Sequence, residues 1–373
     1  MAISSVRGTV GQVVRRRLAR HDHPSVRHHG EVSRPTPHVR IDREVLERNI
    51  DAMQQTAEAA GLALRPHAKT HKSLEVARLQ LAAGAIGLTV ATVSEAEVFA
   101  EVCDDLFVAY PLWVDDERAQ RLRGLLGTSV VTVGVDSVES VRQLAPLAAG
   151  GLRVRIEVDS GHHRSGVPAG DAVDVATAAS EAGLAVDGVF TFPGHSYSPD
   201  ARASAAADEQ RELGAARDAL VAAGVPCPVV SGGSTPSVEY ARGDVLTEVR
   251  PGVYVFGDAQ QWELGATTPE QVALTVVATV VGRYPDRVVL DAGSKVLGAD
   301  RSSWATGHGR LLDHPDAVIT ALSEHHATVT GFDAPRGTRV RVVPNHVCNT
   351  VNLADELVLG DGTWRVDARG ANT

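Results

Sequence analysis

The segment 64–72, LRPHAKTHK, carries basic side chains at alternate positions. In a strand, alternate residues point to the same face, so Arg65, His67, Lys69 and His71 would share one surface. Burial beside other cations disfavours the ammonium form of a lysine. Lys69 could then react as a neutral amine and form a Schiff base with an aldehyde. A basic strand end that binds phosphate or solvent is the simpler alternative.

A second candidate for chemistry is the segment 344–353, PNHVCNTVNL, where His346 and Cys348 are two residues apart. On a strand these side chains would lie on one face. An imidazole and a thiolate together suit zinc. With two protein ligands, water or substrate would complete the coordination, and open positions are what a Lewis acid needs. The alternative is a buried cysteine beside a capping histidine.

Three glycine-containing segments each follow a predicted strand. In EVDSGHHRSGV, the permanent cation of Arg164 could bind an oxyanion or a phenolate. In FPGHSY, His195 and Tyr197 are candidate acid–base or cofactor-contacting groups. In SGGSTP, residues 231–236, backbone N–H groups and hydroxyls can wrap a phosphate. Each segment taken alone is also compatible with an ordinary loop.

Strand-like and helix-like segments alternate over most of the chain, which positions these groups. Strict alternation predicts parallel strands with helical crossovers, and eight such units close into a barrel with its site at the carboxyl ends of the strands. From about residue 270, short strands and Gly or Asp turns replace the helical periods. We expect an α/β fold, with a basic arm over 1–36, a (β/α)8 barrel of TIM type over 37–268 and a β domain over 269–373 that the strand near residue 39 joins.

Composition excludes several classes of function. The chain has 373 residues and a formal net charge of −10, which argues against a nucleic-acid partner. It has no run of about 18 apolar residues, so we expect no membrane span. Three cysteines in a chain of this length are no disulfide framework and indicate a reducing, cytoplasmic compartment. The arginine-rich start resembles a targeting peptide, but we favour a tail or an arm that lies on a neighbouring subunit.

Taken together, these motifs resemble the D-serine dehydratase / D-threonine aldolase family, pyridoxal-phosphate enzymes of the alanine-racemase-like fold (fold type III). The resemblance runs from about Pro37 to Arg369. The lysine segment and the His-x-Cys pair are the most specific parts. The supporting parts are the Asp-x-Gly-x-x-Arg-x-Gly loop, Gly-His-Ser-Tyr, Ser-x-Gly-Ser-Thr-Pro and the Arg-Pro-Gly-x-Tyr segment that begins at Arg250.

The resemblance implies a role for each matched residue. Lys69 would carry pyridoxal phosphate and act in catalysis. His346 and Cys348 would bind Zn²⁺ or another divalent metal. The family's D-serine dehydratases have this His-x-Cys, whereas its aldolases often have aspartate at the second position, so Cys348 favours zinc and dehydration. The other cofactor-binding residues would be His67, Arg164, His195, Tyr197, Gly233, Ser234, Thr235 and Tyr254.

Two departures from related patterns limit what can be carried over. Alanine racemases supply a tyrosine as second base near the region of Asp291, but no tyrosine lies between Asp291 and Asp300. That departure speaks against racemisation. The segment 324–326, EHH, differs from the family's Glu-Glu-His, which leaves its role open.

The predicted activity is therefore that of a lyase acting on a β-hydroxy D-amino acid, with zinc-assisted conversion of D-serine to pyruvate and ammonia as the first choice. Retro-aldol cleavage of D-threonine to glycine and an aldehyde would use the same residues. A non-catalytic protein of pyridoxal-phosphate homeostasis is the third alternative, although such a carrier needs neither a metal site nor a second domain. The family works as a homodimer, and we expect the same here.

Overall fold

The computed structural model describes residues 34–360 and 362–373. The arginine-rich part of the predicted arm, up to residue 33, lies outside the described residues. Among the described helices, none combines the length and the apolar character that crossing a membrane requires.

Seventeen strands and ten α-helices make up the described chain. The strands are β1 His38–Ile41, β2 Ala63–Leu64, β3 Leu88–Val90, β4 Asp105–Pro111, β5 Val130–Val135, β6 Arg153–Glu157, β7 Ala185–Phe190, β8 Val229–Gly232, β9 Glu248–Val249, β10 Leu274–Arg283, β11 Val288–Leu290, β12 Gly309–Leu311, β13 His314–Leu322, β14 Ala327–Thr330, β15 Arg339–Pro344, β16 Glu356–Leu359 and β17 Gly362–Arg365. The helices are α1 Arg43–Ala59, α2 Leu74–Ala82, α3 Val93–Phe99, α4 Asp116–Leu126, α5 Val138–Leu144, α6 Ala172–Glu181, α7 Arg202–Ala222, α8 Ala259–Glu263, α9 Ser294–Leu297 and α10 Val347–Leu353.

The first sheet is a barrel of eight parallel strands in the order β2-β9-β8-β7-β6-β5-β4-β3. Its two outer strands are joined by the chain that follows β2. The N–H of Ile86 donates to the carbonyl of Leu64, and the N–H of Thr89 donates to that of Pro66, both at 2.9 Å. Helices connect most of the successive strands, as the alternation of segments predicts. The barrel prediction is confirmed.

Local sequence determines where several helices begin. The Asp42 side chain accepts the N–H of Val45 and caps α1, and Leu46 and Ile50 on the inner face of this helix are buried. The same side-chain cap, accepting an N–H three residues on, starts further helices at Thr92, Asp115 and Ser137.

The interior of the barrel is charged. Arg65 contacts Asp105 at 2.8 Å and Glu248 at 3.0 Å, and Arg155 contacts Glu248 at 2.6 Å and Asp187 at 2.5 Å. Burial alone would raise the pKa of Glu248, but Arg155 and Arg65 bring that pKa down to about 2. Because each charge has a partner, the network can exist in the interior, and removal of one member would leave another uncompensated.

The second sheet has nine strands in the order β11-β14-β13-β12-β15-β10-β1-β16-β17, and β11 also pairs with β10. The strands from β10 to β15 therefore close on themselves. Within this sheet β1 is antiparallel to β10 and parallel to β16, so a strand that precedes the barrel in sequence lies in the β domain. Aliphatic side chains fill the core, among them Val276, Val280, Leu290, Ile319, Val329 and Val342.

Two strand predictions are wrong at the residues with the most chemistry. Strand β2 ends at Leu64, and Ala68–Thr70 forms a 3₁₀ turn that the side chain of His67 caps. Strand β15 ends at Pro344, and Cys348 lies in the first turn of α10. Alternation of residue types resembles a strand in both places. A capped turn, and a helix that follows a proline, end the extended backbone.

Candidate active site

A cavity of about 450 Å³ opens at the carboxyl ends of the barrel strands. Segments that follow seven of the eight strands contribute to its wall, which is where a parallel barrel presents its loops. The side chains or backbone that line it belong to His67, Lys69, Thr70, Ala91, Ala109, Tyr110, Pro111, Asp136, Arg164, Ser165, Phe192, Tyr197, Gly233, Ser234, Arg250, Gly252 and Val253.

Lys69 extends into this cavity from the 3₁₀ turn after β2. Burial lowers its pKa below the ordinary value, and the cations Arg164 and Arg250 lower it further, while Cys348 and Glu95 act in the opposite direction. The net shift favours the neutral amine, which is the nucleophilic form. The sequence predicted this electrostatic effect, but from neighbours in the same segment rather than from two distant arginines.

An aromatic ring lies beside two of these cations. The Lys69 ammonium is 5.6 Å from the centre of the Phe192 ring, and the Arg164 guanidinium is 5.1 Å from the same centre. Arg164 also approaches Glu157, at 3.9 Å. Both basic groups therefore lie at one wall of the cavity, and the charged Arg164 is at cation–π distance from the ring.

The buried Arg250 also lines the cavity, and it was not predicted from the sequence as a site residue. Its two terminal nitrogens donate to Ser231 Oγ and to the carbonyl of Thr191, both at 2.5 Å. Burial lowers the pKa of Arg250 to about 10, which still leaves it charged at neutral pH. Its cation is therefore fixed in place at the cavity wall.

The Ser/Gly segment after β8 uses part of its donor capacity internally. The N–H of Gly233 donates to Glu209 Oε1 at 2.6 Å, and the N–H of Ser234 donates to Ser237 Oγ at 3.0 Å. These two N–H groups are therefore bonded within the chain. Both Gly233 and Ser234 line the cavity. Their expected contacts with a phosphate stay predictions.

A second backbone element faces the same part of the cavity. Gly252 and Val253 line it at the start of the 3₁₀ turn Val253–Val255, and the first N–H groups of a helical turn have no partner within the turn. A Cβ on Gly252 would stand 2.7 Å from Thr70 Oγ1, so only glycine allows this close approach to the lysine turn. The arrangement suits an anionic group.

His346 and Cys348 meet beside the lysine turn. Cys348 Sγ lies 3.3 Å from Thr70 Oγ1, and His346 is close enough to affect the ionisation of Cys348. Burial alone would raise the pKa of Cys348, but His346 and Lys69 lower it below its ordinary value, which favours the thiolate. The His346 Nδ1 atom is hydrogen-bonded to the carboxylate of Asp300.

This pair fits a metal ion with open positions. Asp300 orients the imidazole, as carboxylates do for metal-bound histidines, and leaves the Nε2 atom of His346 available to bind the ion. Within residues 34–360 and 362–373, no group of three or more His, Cys, Asp or Glu side chains could hold a metal. His346 and Cys348 are side chains of the types that zinc prefers.

The remaining predicted residues are divided between the cavity wall and the layer behind it. Tyr197 lines the cavity. His195 does not, and its Nε2 atom is 3.4 Å from Asp208. Thr235 Oγ1 accepts the N–H of Tyr254 at 3.1 Å, and the Tyr254 hydroxyl accepts from Gln80 at 2.9 Å. His195, Thr235 and Tyr254 are not among the residues that line the cavity. Their expected contacts with the cofactor stay predictions.

The residues present fit pyridoxal phosphate. The volume is in the range of cofactor sites. An amine with a lowered pKa, two arginines and the backbone at Gly252 and Val253 face one space, which matches an anionic aldehyde. Sequence reasoning assigned no site role to Arg250, Asp300 or the buried Asp258, whose Oδ2 accepts the N–H of Val347 at 3.2 Å. Arg250 begins the quoted Arg-Pro-Gly-x-Tyr segment and Asp258 lies four residues beyond its end, so this stretch is the signal that could have found them.

Comparisons with known proteins agree with this geometry. The family described as alanine racemase, N-terminal domain, matches residues 41–260, and the serine dehydratase domain matches residues 273–359. The D-threo-3-hydroxyaspartate dehydratase of Delftia sp. (strain HT23) is 38% identical over 347 residues, which are 84% of this chain and 91% of the relative. Its solved structure covers 89% of this chain and 97% of its own, with a TM-score of 0.82.

Two further relatives have different activities in their names. The D-threonine aldolase of Arthrobacter sp. is 34% identical over 360 residues, 90% of this chain and 93% of the relative. The D-serine dehydratase of Dictyostelium discoideum is 26% identical over 362 residues, 85% of this chain and 91% of the relative.

The barrel, the β domain and the lysine at the carboxyl end of the barrel define a pyridoxal-phosphate enzyme of the alanine-racemase-like fold. Within that class, the chain belongs to the D-serine dehydratase / D-threonine aldolase family. It is a pyridoxal-phosphate-dependent lyase of D-amino acids.

Proposed function

We propose that this lyase dehydrates and deaminates a β-hydroxy D-amino acid, with D-serine converted to pyruvate and ammonia as the first choice, and that zinc assists the reaction. The observation that carries the proposal is the thiol of Cys348, 3.3 Å from Thr70, the residue next to Lys69. A metal on His346 and Cys348 would lie beside the reacting carbons of a substrate held at Lys69.

The barrel residues bind the cofactor and move the proton. Pyridoxal phosphate supplies an electron sink for the charge left on the α-carbon. Lys69 would hold the cofactor, and as a neutral amine it would accept the α-proton of the substrate at Nζ. Arg250 and Arg164 bind and orient the anionic groups of the ligands, and Phe192 excludes water from the side of the cavity at which it contacts Lys69.

The β-domain residues act on the β-hydroxyl. Zinc would make hydroxide a better leaving group as a Lewis acid. His346 and Cys348 would hold the ion, and Asp300 keeps His346 in the tautomer that can bind it. A solved structure of a cysteine-to-alanine variant of the hydroxyaspartate dehydratase is described as the metal-free form, wording that supports a metal in that relative.

Retro-aldol cleavage is the second candidate. The 34% identity to a D-threonine aldolase over 90% of the chain favours it, and the same residues would serve. Cleavage needs a base for the β-hydroxyl proton instead of loss of hydroxide. The His–Cys pair is the feature that favours dehydration over cleavage.

The protein's assembly and compartment are part of the proposal. We infer a homodimer in which the β domain of one subunit completes the site of the other, and a cytoplasmic location, which the three free cysteines support. A non-catalytic carrier of pyridoxal phosphate is the remaining alternative, and it would need neither the His346–Cys348 pair nor the β domain.

Product analysis decides among these activities. The purified protein, loaded with pyridoxal phosphate and zinc, is incubated with D-serine, D-threonine and D-threo-3-hydroxyaspartate. Pyruvate and ammonia from D-serine would support the first choice, and a 2-oxo acid from hydroxyaspartate alone would move the substrate while keeping dehydration. Glycine and acetaldehyde from D-threonine would identify an aldolase. L-Serine is the control, and equal turnover of L- and D-serine would contradict a D-amino acid lyase.

A further inference from the structure

Lys72, the second lysine of the segment 64–72, is buried, and its ammonium group contacts three acceptor side chains. Lys72 Nζ lies 3.3 Å from Glu95 Oε1, 2.9 Å from Asn352 Oδ1 and 3.1 Å from Asn372 Oδ1. An ammonium has three N–H donors, and here three acceptors surround it. Its side chain is 6% exposed. Lys69, by contrast, has no hydrogen bond from Nζ to the described residues, so the two lysines have different tasks.

The three acceptors belong to three separate segments. Glu95 lies in α3, and its other oxygen accepts the N–H of Ala91, which lines the cavity, at 2.7 Å. Asn352 lies in α10, the helix that carries Cys348. Asn372 lies in the segment that follows β17. One ammonium thus joins the barrel, the metal-site helix and the segment 366–373.

The segment 366–373 lies against both sides of the Lys72 backbone. The N–H of Ala368 donates to the carbonyl of Lys72 at 3.0 Å, and Asp367 accepts the N–H of Leu74 at 2.8 Å. Asn352 Oδ1 also accepts the N–H of Gly370 at 3.2 Å. These bonds keep Lys72 in a left-handed backbone conformation, with φ of 48°, that lysine rarely adopts.

A left-handed non-glycine residue at the end of the lysine turn has a geometric consequence. The turn Ala68–Thr70 cannot continue as a helix through Lys72, so the chain reverses there and the two lysines diverge. Lys69 then faces the cavity, and Lys72 faces the junction with α10. Movement of either the turn or the helix would leave a buried charge with too few acceptors, which is costly.

We propose that Lys72 is a positioning residue that holds the Lys69 turn and the Cys348 helix in fixed register through Glu95, Asn352 and Asn372. The role rests on the proposed function, since it concerns the separation between the lysine and the metal pair. Lys72 is not among the residues that line the cavity. Its contribution is the alignment of two groups that come from different domains of the chain.

The test uses a variant that removes the charge without leaving its partner unpaired. In Lys72→Met/Glu95→Gln, both buried charges are absent, the stem of the lysine is kept and glutamine can still accept the N–H of Ala91. The matched control is Lys295→Met/Glu324→Gln, because that pair is exposed and lies 2.8 Å apart. Thermal unfolding is measured first, to show that the fold is retained.

Thiol labelling reports the position of α10 without requiring activity. The metal-free protein is treated with a thiol reagent, and mass spectrometry follows Cys348 separately from Cys103 and Cys227. Labelling of Cys348 should be about 10-fold faster in the charge-free variant and unchanged in the control. Zinc affinity should fall about 10-fold, in line with other changes in the surroundings of metal ligands.

The kinetic result completes the experiment. A displacement of about 1 Å between reacting groups can cost about 100-fold in rate, so kcat should fall by about 10- to 100-fold with little change in KM. Wild-type labelling of Cys348 and wild-type kcat in the folded variant would overturn the proposal. If the wild-type protein turns over none of the substrates, the proposed function fails, and the labelling result still decides whether Lys72 positions α10.

Single substitutions keep the proposal testable if the double variant does not fold. Asn352→Ala removes the acceptor on α10, and Asn372→Ala removes the acceptor on the following segment, without burying a new charge. Faster labelling of Cys348 is expected in both, with the larger effect for Asn352→Ala because this residue is part of the moving helix. Equal labelling of both variants and wild type would contradict the proposal.

Discussion

The barrel half and the β-domain half of the site each contain one group whose pKa is lowered, with opposite effects on the charge of that group. In the barrel half, burial and the cations Arg164 and Arg250 lower the pKa of Lys69 and favour a neutral amine. In the β-domain half, His346 and Lys69 lower the pKa of Cys348 against the effect of burial and favour a charged thiolate. Burial favours the neutral form of both groups, and neighbouring cations add to its effect at Lys69 but outweigh it at Cys348.

The two halves also differ in construction. The cavity around Lys69 is assembled from loops that follow seven strands, whereas the metal pair lies within three consecutive residues of one segment. Yet neither half is independent, because Cys348 opposes the shift in the Lys69 pKa and Lys69 contributes to that of Cys348. The comparison teaches that a change to one group should alter the ionisation of the other.

Lys69→Ala should have the largest effect. It should remove cofactor attachment in the barrel half and leave metal binding in the β-domain half intact. We expect at least about a 10³-fold loss of activity, because nucleophile and base are removed together. The visible absorbance of bound cofactor should disappear, while zinc binding by His346 and Cys348 remains. Lys295→Ala is the control, since Lys295 is exposed. An unchanged visible spectrum in the variant would reject Lys69 as the cofactor lysine.

Cys348→Ala should give the reverse pattern, with the metal lost and the cofactor retained. We expect a fall in activity of about 10²-fold or more, because the Lewis acid is removed. Metal analysis and the visible spectrum of one preparation measure both halves. Cys227→Ala is the matched control, a free cysteine that is not among the residues lining the cavity and whose thiol donates to the carbonyl of Val229. Full activity without metal would eliminate the zinc mechanism.

Asp300→Asn should weaken the β-domain half without removing a ligand. Asparagine cannot supply the carboxylate that holds His346 Nδ1, so zinc affinity should fall about 10-fold or more, as for other partners of metal-bound histidines. Titration calorimetry of the metal-free protein with zinc measures this directly. Cofactor binding should not change. Wild-type zinc affinity in the variant would show that the contact with Asp300 does not orient the ligand.

Glu209→Gln should have the smallest effect, on stability in the barrel half. Burial raises the pKa of Glu209 to about 7, above its ordinary value of 4.5, so its protonated form is the one the fold favours. The contribution of Glu209 to the free energy of unfolding is fully present below about pH 4.5 and is lost as the pH rises through about 7.

Glutamine can accept the N–H of Gly233 and does not titrate. The variant should therefore unfold at a higher temperature than the wild type at pH 8, by a difference worth about 1–3 kcal/mol, and should match it near pH 4.5. Denaturation across this pH range checks the sign, with the exposed Glu324→Gln as control. A difference that does not vary with pH would exclude Glu209 as the titrating group.

The sequence predicted the fold because its signals are local and repeated. Strand and helix periods alternate eight times, and the caps at Asp42 and Ser137 are readable in the chain. The two wrong assignments occur where periodicity is too short to be decisive. At Lys69, alternate basic residues occupy a turn, and at Cys348 a two-residue spacing occupies the start of a helix.

The site was predictable in its motifs and not in its long-range pairs. Lys69, Arg164, His346 and Cys348 stand out by residue type and spacing. The partners that set their ionisation or orientation come from far along the chain, as Asp300 does for His346 across 46 residues. No local pattern encodes such a pair, since it depends on how the β domain closes.

The ion pairs across the barrel interior determine how the barrel could be rebuilt. Arg65, Asp105, Arg155, Asp187 and Glu248 come from strands β2, β4, β6, β7 and β9 or the residues next to them. A chimera that takes one of these strands from a barrel with an aliphatic interior would inherit an unmatched charge. Libraries for this scaffold should exchange the five segments as one block, with the crossover points placed in the outer helices.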